Sequence, residues 1–217
     1  MRRDIDAVLF DMDGLLIDSE RVGIEVLEEE SRLMGTPVNE PFLTTVLGLT
    51  REGSRDRYAR FHPEVDFDRL YDLFALRMAQ RAMEGRIPLK KGAAAILRAL
   101  TDGGIPHCVA SSSPRESIGI YLKALGLEDT APDYVSSEEV SRSKPFPDVF
   151  LKAAESIGAD ISRCLILEDS PNGLTAARRS GAVVGMVPDI IPFSEALAPV
   201  TDHVFKDLDA AREWLEV

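Results

Sequence analysis

Cysteine and histidine are scarce in this 217-residue sequence, at two and three residues. Two cysteines make no disulfide framework. Cys108 and Cys164 lie in the apolar stretches "IPHCVA" and "SRCLILE" and read as buried free thiols of core strands, which fits a reducing compartment. His62, His107 and His203 lack the spacing of metal ligands. No apolar run reaches the length of a membrane span, and "MRRDIDAVLFD" meets its acids before any long apolar run, unlike a signal peptide. The expected location is cytoplasmic. Positive charge is also short: 25 Lys and Arg against 37 Asp and Glu leave a net charge of −12. Such a surface argues against nucleic acid and anionic membrane as partners. It leaves an anionic substrate open, through a locally basic site or a bound metal. Internal repeats, low-complexity tracts and flexible linkers are lacking as well.

What is present is a hydrophobic fraction of 45%, enough for one domain, or one domain carrying a smaller insert. Apolar runs bounded by turn residues recur at 7–10, 105–110, 133–137, 164–168 and 182–187, with a short one at 203–205. Helical patterns lie between them at 91–104, 113–127, 145–159 and 170–182. The pattern at 113–127 opens on Ser-Pro, which reads as an N-cap followed by proline at the first helical position. Alternation of this kind predicts an α/β fold with a parallel sheet covered by helices. From 19 to about 86 the pattern is different, with helical stretches at 19–35, 39–48, 51–61 and 67–85 and no strand. The expected organisation is an α/β core of residues 1–15 and 88–217 with an all-helical cap, 16–87, inserted after the first strand. The Met and aromatic positions of "LYDLFALRMAQRAM" fall at helical spacing and read as cap core. The C-terminal "LDAAREWLEV" reads as a closing amphipathic helix with Trp214 against the sheet.

"VLFDMDGLLIDSE" carries the chemistry. A buried strand ends in Asp11 and Asp13, and Gly14 then breaks it. A D-x-D pair alone is also what a solvated turn looks like. However, ligands in open parallel sheets bind beyond the carboxyl ends of strands, and "CLILEDSPNG" places Glu168 and Asp169 at another such end. Four carboxylates in one crevice repel unless a cation or protons neutralise them. A hard cation such as Mg²⁺ takes oxygen ligands of this kind. "VASSSPRES" ends a third strand in serines ahead of a helix, a setting for an anion. "SRSKPFPD" offers Lys144, a point-charge binder of phosphate. A metal, an anion cradle, a cation and a carboxylate able to attack together suit phosphoryl transfer.

In "DMDGLLIDSE", "VASSS", "SKPFPD" and "LEDSPNG" the sequence resembles the haloacid dehalogenase superfamily of phosphatases and phosphomutases. The resemblance spans essentially the whole chain, and the helical insert resembles the family's C1 cap. It implies a Rossmann-like parallel sheet core with Asp11 as nucleophile and Asp13 as general acid and then general base. It implies Mg²⁺ held by the Asp11 carboxylate, the Asp13 backbone carbonyl and Asp169, with Glu168 acting through a water or behind the direct ligands. Ser111 and the Ser112 backbone N–H would hold the phosphate, and Lys144 would neutralise nucleophile and transferring group. Gly14, Glu20 and Arg51 complete the candidate substrate contacts. Glu20 either faces substrate or caps the first cap helix. Arg51 either reaches a distal hydroxyl or second phosphate, or is a solvated helix-start residue. Asp18 is expected to order the turn at the cap hinge.

The resemblance is nearest to the β-phosphoglucomutase-like group. An acid at 13 departs from the superfamily's dehalogenases. The absence of lysine between Asp18 and Lys90 departs from its phosphonate-cleaving branch and from the mutase's cap lysine. The mutase's cap histidine aligns with Gly23. The expected function is a Mg²⁺-dependent phosphatase of a small phosphorylated metabolite, a sugar phosphate or related monoester, acting through an aspartyl-phosphate. The alternatives are a phosphomutase and a non-catalytic phosphometabolite-binding protein. Nothing in the sequence requires more than a monomer.

Overall fold

Beginning at Asp4, a computed structural model describes residues 4–217. Six strands form one parallel sheet: β1 (Ala7–Phe10), β2 (His107–Ser111), β3 (Tyr134–Ser136), β4 (Cys164–Glu168), β5 (Val183–Met186) and β6 (His203–Val204). Their order is β3-β2-β1-β4-β5-β6, with every neighbouring pair parallel. The six apolar runs read from the sequence are these six strands. β1 is flanked by β2 on one side and β4 on the other. The strand order therefore reverses at β1, and a crevice opens beyond its carboxyl end.

Alternation along the strands builds two cores. Val8, Phe10, Val109, Leu165 and Leu167 face one layer, and Ala7, Leu9, Cys108, Ala110, Cys164 and Ile166 face the other. The first layer is covered by α5 (Ala93–Asp102), α6 (Arg115–Ala124) and α9 (Leu208–Leu215), the second by α7 (Asp148–Ser156) and α8 (Pro171–Ser180). Both cysteines are free and buried. Trp214 packs on the rings of His203 and Phe205, with centroids 4.6 and 5.6 Å away.

Between β1 and α5 lie α1 (Ser19–Leu33), α2 (Glu40–Leu43), α3 (Arg51–Phe61) and α4 (Phe67–Met83), and no strand among the described residues. α2 is shorter than the 39–48 pattern: Asn39 caps it, and the chain turns repeatedly after Leu43. Ile24, Val38, Leu43, Val46, Tyr58, Val65 and Leu70 form a separate apolar cluster within this segment. α1 packs along α4, and α4 also packs on α6 of the sheet layer. The two crossings into and out of the segment run side by side. The Asp18 N–H donates to the Pro88 carbonyl (2.8 Å) and the Lys90 N–H to the Leu16 carbonyl (2.9 Å). The helices thus leave and re-enter at one narrow point beside the end of β1.

Candidate active site

Asp11 is the first residue past β1, and its N–H donates to the Leu167 carbonyl of β4 (3.0 Å). The residue is 6% exposed. Lys144 reaches it from the loop before α7, with Nζ 2.5 Å from Asp11 Oδ1, 2.8 Å from Glu168 Oε1 and 3.0 Å from the Ala110 carbonyl. Three acceptors match the three donors of an ammonium. The buried lysine therefore joins the carboxyl ends of β1, β2 and β4. Burial alone would lower the Lys144 pKa, but Asp11 and Glu168 hold it above its usual value.

Glu168 is fully buried. Its second oxygen, Oε2, accepts from the N–H groups of Asp169 and Ser170 (2.9 Å each) and from Ser170 Oγ (3.0 Å). The structure thus ties Glu168 into the protein through both oxygens. Its carboxylate lies flat on Gly173, where any Cβ would overlap it. Gly173→Ala is expected to displace Glu168 and loosen Lys144. Overpacking of this kind costs about 1–3 kcal/mol, a fall of roughly 2–12 °C in Tm for a chain of this size. Calorimetry paired with an activity assay checks that both fall together.

Asp13 sits among hydroxyls. Oδ1 accepts from Ser19 Oγ (2.7 Å), and Oδ2 accepts from Ser113 Oγ (2.7 Å) and Ser111 Oγ (3.2 Å). This corrects the Ser-Pro reading: α6 starts at Arg115, no side chain caps it, and Ser113 turns to Asp13. Ser111 Oγ also accepts the Ser113 N–H (3.0 Å). Ser112 borders the same cleft, and its carbonyl accepts Ser137 Oγ (2.8 Å), which pins the loop to the end of β3. Sequence reasoning missed Ser19 and Ser113. The available signal was three consecutive serines where one cap needs one.

Asp11, Glu168 and Asp169 bring carboxylate oxygens within 4.8 Å of one another, all buried, and Asp169 meets Glu20 and Asp189 in the same way. Glu20 makes no cap: α1 is preceded by Asp18, whose side chain accepts no capping bond. Asp18 instead pairs with Arg21 (2.8 Å) at the chain crossing. Asp189, in the loop after β5, is held by Lys90 (2.5 Å) and Arg21 (2.6 Å). Gly14, at φ +84°, lies under this group. A Cβ there would collide with Asp169 Oδ2 and come 3.2 Å from Glu20 Oε2. Burial raises Asp11 to about 8 against the pull of Lys144, with Glu168 and Asp13 adding to the rise. Burial, then Asp13 and Asp11, raise Glu20 to about 8, and burial with Glu168 raises Asp169 well above its usual value.

A buried set of oxygen donors with more carboxylates than cations fits a hard divalent ion. It also fixes a sign. Asp11 and Glu20 rise from their ordinary values of 3.8 and 4.5, so the metal-free native state holds protons that the unfolded chain has released. Their contribution to stability is complete below about pH 4 and is lost as pH rises through about 8. Mg²⁺ is therefore expected to raise Tm more at about pH 8 than at about pH 5, where protons compete for the same oxygens. Scanning calorimetry in chelator and in Mg²⁺ at both pH values checks this. An equal gain at both would contradict it.

Above the acids lies a cavity of about 220 Å³, walled by α1, α3, α4 and the loop after α2. Arg51 is on its wall but is held by Asp68 (3.0 Å) and Asp72 (3.3 Å), with its guanidinium 4.4 Å over the Tyr71 ring. Tyr71 and Phe74, which the helical spacing assigns to cap core, are half-buried and face this cavity.

Residues 5–181 match the family model described as haloacid dehalogenase-like hydrolase. The Drosophila melanogaster protein named "Probable pseudouridine-5'-phosphatase" is 34% identical over 198 residues, 86% of this chain and 83% of its own length. "Hexitol phosphatase B" of Escherichia coli strain K12 is 31% identical over 219 residues, 95% of this chain and 97% of its own. A HAD family hydrolase from Deinococcus radiodurans, solved with bound phosphate and sodium, superposes with a TM-score of 0.77 at 28% identity. It covers 99% of this chain and 96% of that one.

Proposed function

Since the chain belongs to the haloacid dehalogenase-like hydrolases, we propose that this phosphomonoester hydrolase cleaves a small phosphorylated metabolite through a phosphoryl group carried on Asp11. The observation that carries the reading is the buried Lys144 ammonium shared by Asp11 and Glu168, beside an Asp13 held by three hydroxyls. With Oδ1 gripped by Lys144, Asp11 presents Oδ2 to phosphorus, and the P–O bond to the leaving alcohol breaks as the new one forms. Asp13 protonates the departing oxygen, then takes a proton from the water that attacks the phospho-aspartate. Hydroxyls suit that cycle, because each can donate to a carboxylate and turn to accept from a carboxylic acid. Lys144 balances charge on Asp11 throughout, and Glu168 keeps Lys144 in place.

Mg²⁺ fits the acids of the site; Asp11, Asp169 and the Asp13 carbonyl would hold it, and it would neutralise charge on the phosphoryl oxygens. Ser111 and the Ser112 N–H are assigned to the phosphate, which requires Ser111 to leave Asp13. Residues 16–87 are assigned as a cap moving against 1–15 and 88–217 about the paired crossings at Asp18 and Lys90. Among the described residues no helix is long and apolar enough to cross a membrane. The two buried free thiols support a cytoplasmic location. Phosphate release from a broad panel of phosphomonoesters, with and without Mg²⁺, tests the assignment. Mg²⁺-dependent release from a few related compounds is expected, and release that ignores a chelator would overturn the metal's role.

A further inference from the structure

The floor of the cleft is acidic and hydroxylated, but its walls are apolar. Val46 lies on the loop after α2 and Leu27 on α1, while Phe67, Leu70, Tyr71 and Phe74 line α4. Phe67, Tyr71 and Phe74 fall at i, i+4 and i+7, one face of that helix, and successive ring centroids are 5.8 and 6.2 Å apart. Opposite them α1 offers Gly23, where even a Cβ would touch the Phe74 ring at 3.4 Å. The space beside that ring is kept clear.

Thr50 and Arg51 of the wall are engaged by the protein itself, while the hydroxyls of Ser54, Tyr71 and Tyr121 make no hydrogen bond among the described residues. Thr50 Oγ1 caps α3 through the Gly53 N–H (3.2 Å), and Arg51 is held by Asp68 and Asp72. Tyr58 is set apart by its burial. It lines the cavity, is 2% exposed, and its hydroxyl is buried with no partner among the described residues. A buried hydroxyl without a partner calls for one supplied from elsewhere. A polyol would give up most of its water to the aromatic face of α4, with only a few wall hydroxyls to replace it. A second phosphate would find Arg51 already neutralised, and among the described residues Arg51 is the only cation of the wall besides Lys144 at the floor.

We infer that the leaving group of the substrate is a compact, ring-bearing apolar alcohol that presents a hydrogen-bond acceptor to the Tyr58 hydroxyl. The inference rests on the phosphatase reading above and adds the chemical class of the alcohol. The volume of about 220 Å³ is below the roughly 300–1,000 Å³ of sites for drug-sized ligands, which favours one ring system over a larger body.

The test compares three phosphate esters of primary alcohols, whose leaving groups differ little in acidity: phenethyl phosphate, pyridylethyl phosphate and a hexitol phosphate. Wild-type protein in Mg²⁺ is expected to turn over both ring esters with kcat/KM at least about ten-fold above the hexitol ester, the pyridyl ester being best. Tyr58→Phe is expected to raise KM for the pyridyl ester about ten-fold and leave phenethyl phosphate unchanged, with Tm checked alongside. Preference for the hexitol ester would overturn the inference and leave the phosphatase reading intact. Equal losses on all three esters in Tyr58→Phe would also overturn it, since that is what a structural role for Tyr58 does. Failure to release phosphate from any monoester would defeat both readings together.

Discussion

Asp11→Asn is expected to lower turnover by about 10⁴-fold or more, the scale seen when a nucleophile is removed from an assembled site. The substitution is nearly isosteric, and the amide oxygen can still accept from Lys144, which now sits 2.5 Å from Asp11 Oδ1. The change thus removes nucleophilicity without removing the contact. Stability is expected to be preserved or raised in the metal-free protein. Burial already penalises the charged form of Asp11 and pushes it to about 8, so a neutral side chain relieves repulsion from Glu168 and Asp13. Assay of phosphate release, with calorimetry on the same sample, separates the two effects. Residual activity within ten-fold of wild type would exclude Asp11 as the attacking group.

Asp13→Asn is expected to act unequally on the two halves of the reaction. An alkyl phosphate needs its leaving oxygen protonated, so its cleavage should fall by about 10²–10⁴-fold. p-Nitrophenyl phosphate releases a stable phenolate and needs little help, so the first half should proceed. The second half still requires a base for water. The variant should therefore release nitrophenol in a burst equal to the enzyme present and then turn over slowly. Ser19, Ser111 and Ser113 would find an amide in place of a carboxylate at 2.7–3.2 Å, which hydroxyls accommodate by turning. Equal losses on alkyl and nitrophenyl esters, without a burst, would argue that Asp13 serves structure rather than proton transfer.

The core of this site was legible because its chemistry sits where strands stop. Apolar runs of four or five residues ending abruptly in Asp11, Ser111 and Glu168 mark both the strands and the ends that carry the candidate site, and the sheet order then makes those ends neighbours. Hydrogen bonds that cross between elements were harder to read. Ser113 carries a strong local signal for helix capping, and only the fold reveals that Asp13 competes successfully for its hydroxyl. Ser19 opens a helix, which hides that it faces back to the strand it follows. Asp189 is a single acid in a loop, given meaning by Lys90 and Arg21 from distant positions. Tyr71 and Phe74 show the limit of periodicity: a 3.6-residue repeat says that a helix face is covered, but not whether by another helix or by a ligand cavity. Glu20 stayed ambiguous for a similar reason, since the first turn of a helix suits both capping and a turn toward the acids.

The account's central claim is that phosphorus is carried on Asp11, and the burst state of Asp13→Asn gives the most direct access to it. The variant would be mixed with p-nitrophenyl phosphate, quenched in acid at the end of the burst and reduced with borohydride, which converts an aspartyl-phosphate to homoserine. Peptide mass spectrometry then locates the change. Homoserine at position 11, in proportion to the burst and absent without substrate, is the predicted result. A burst with Asp11 unmodified, or with the change on Glu20, Glu168 or Asp169, would contradict it.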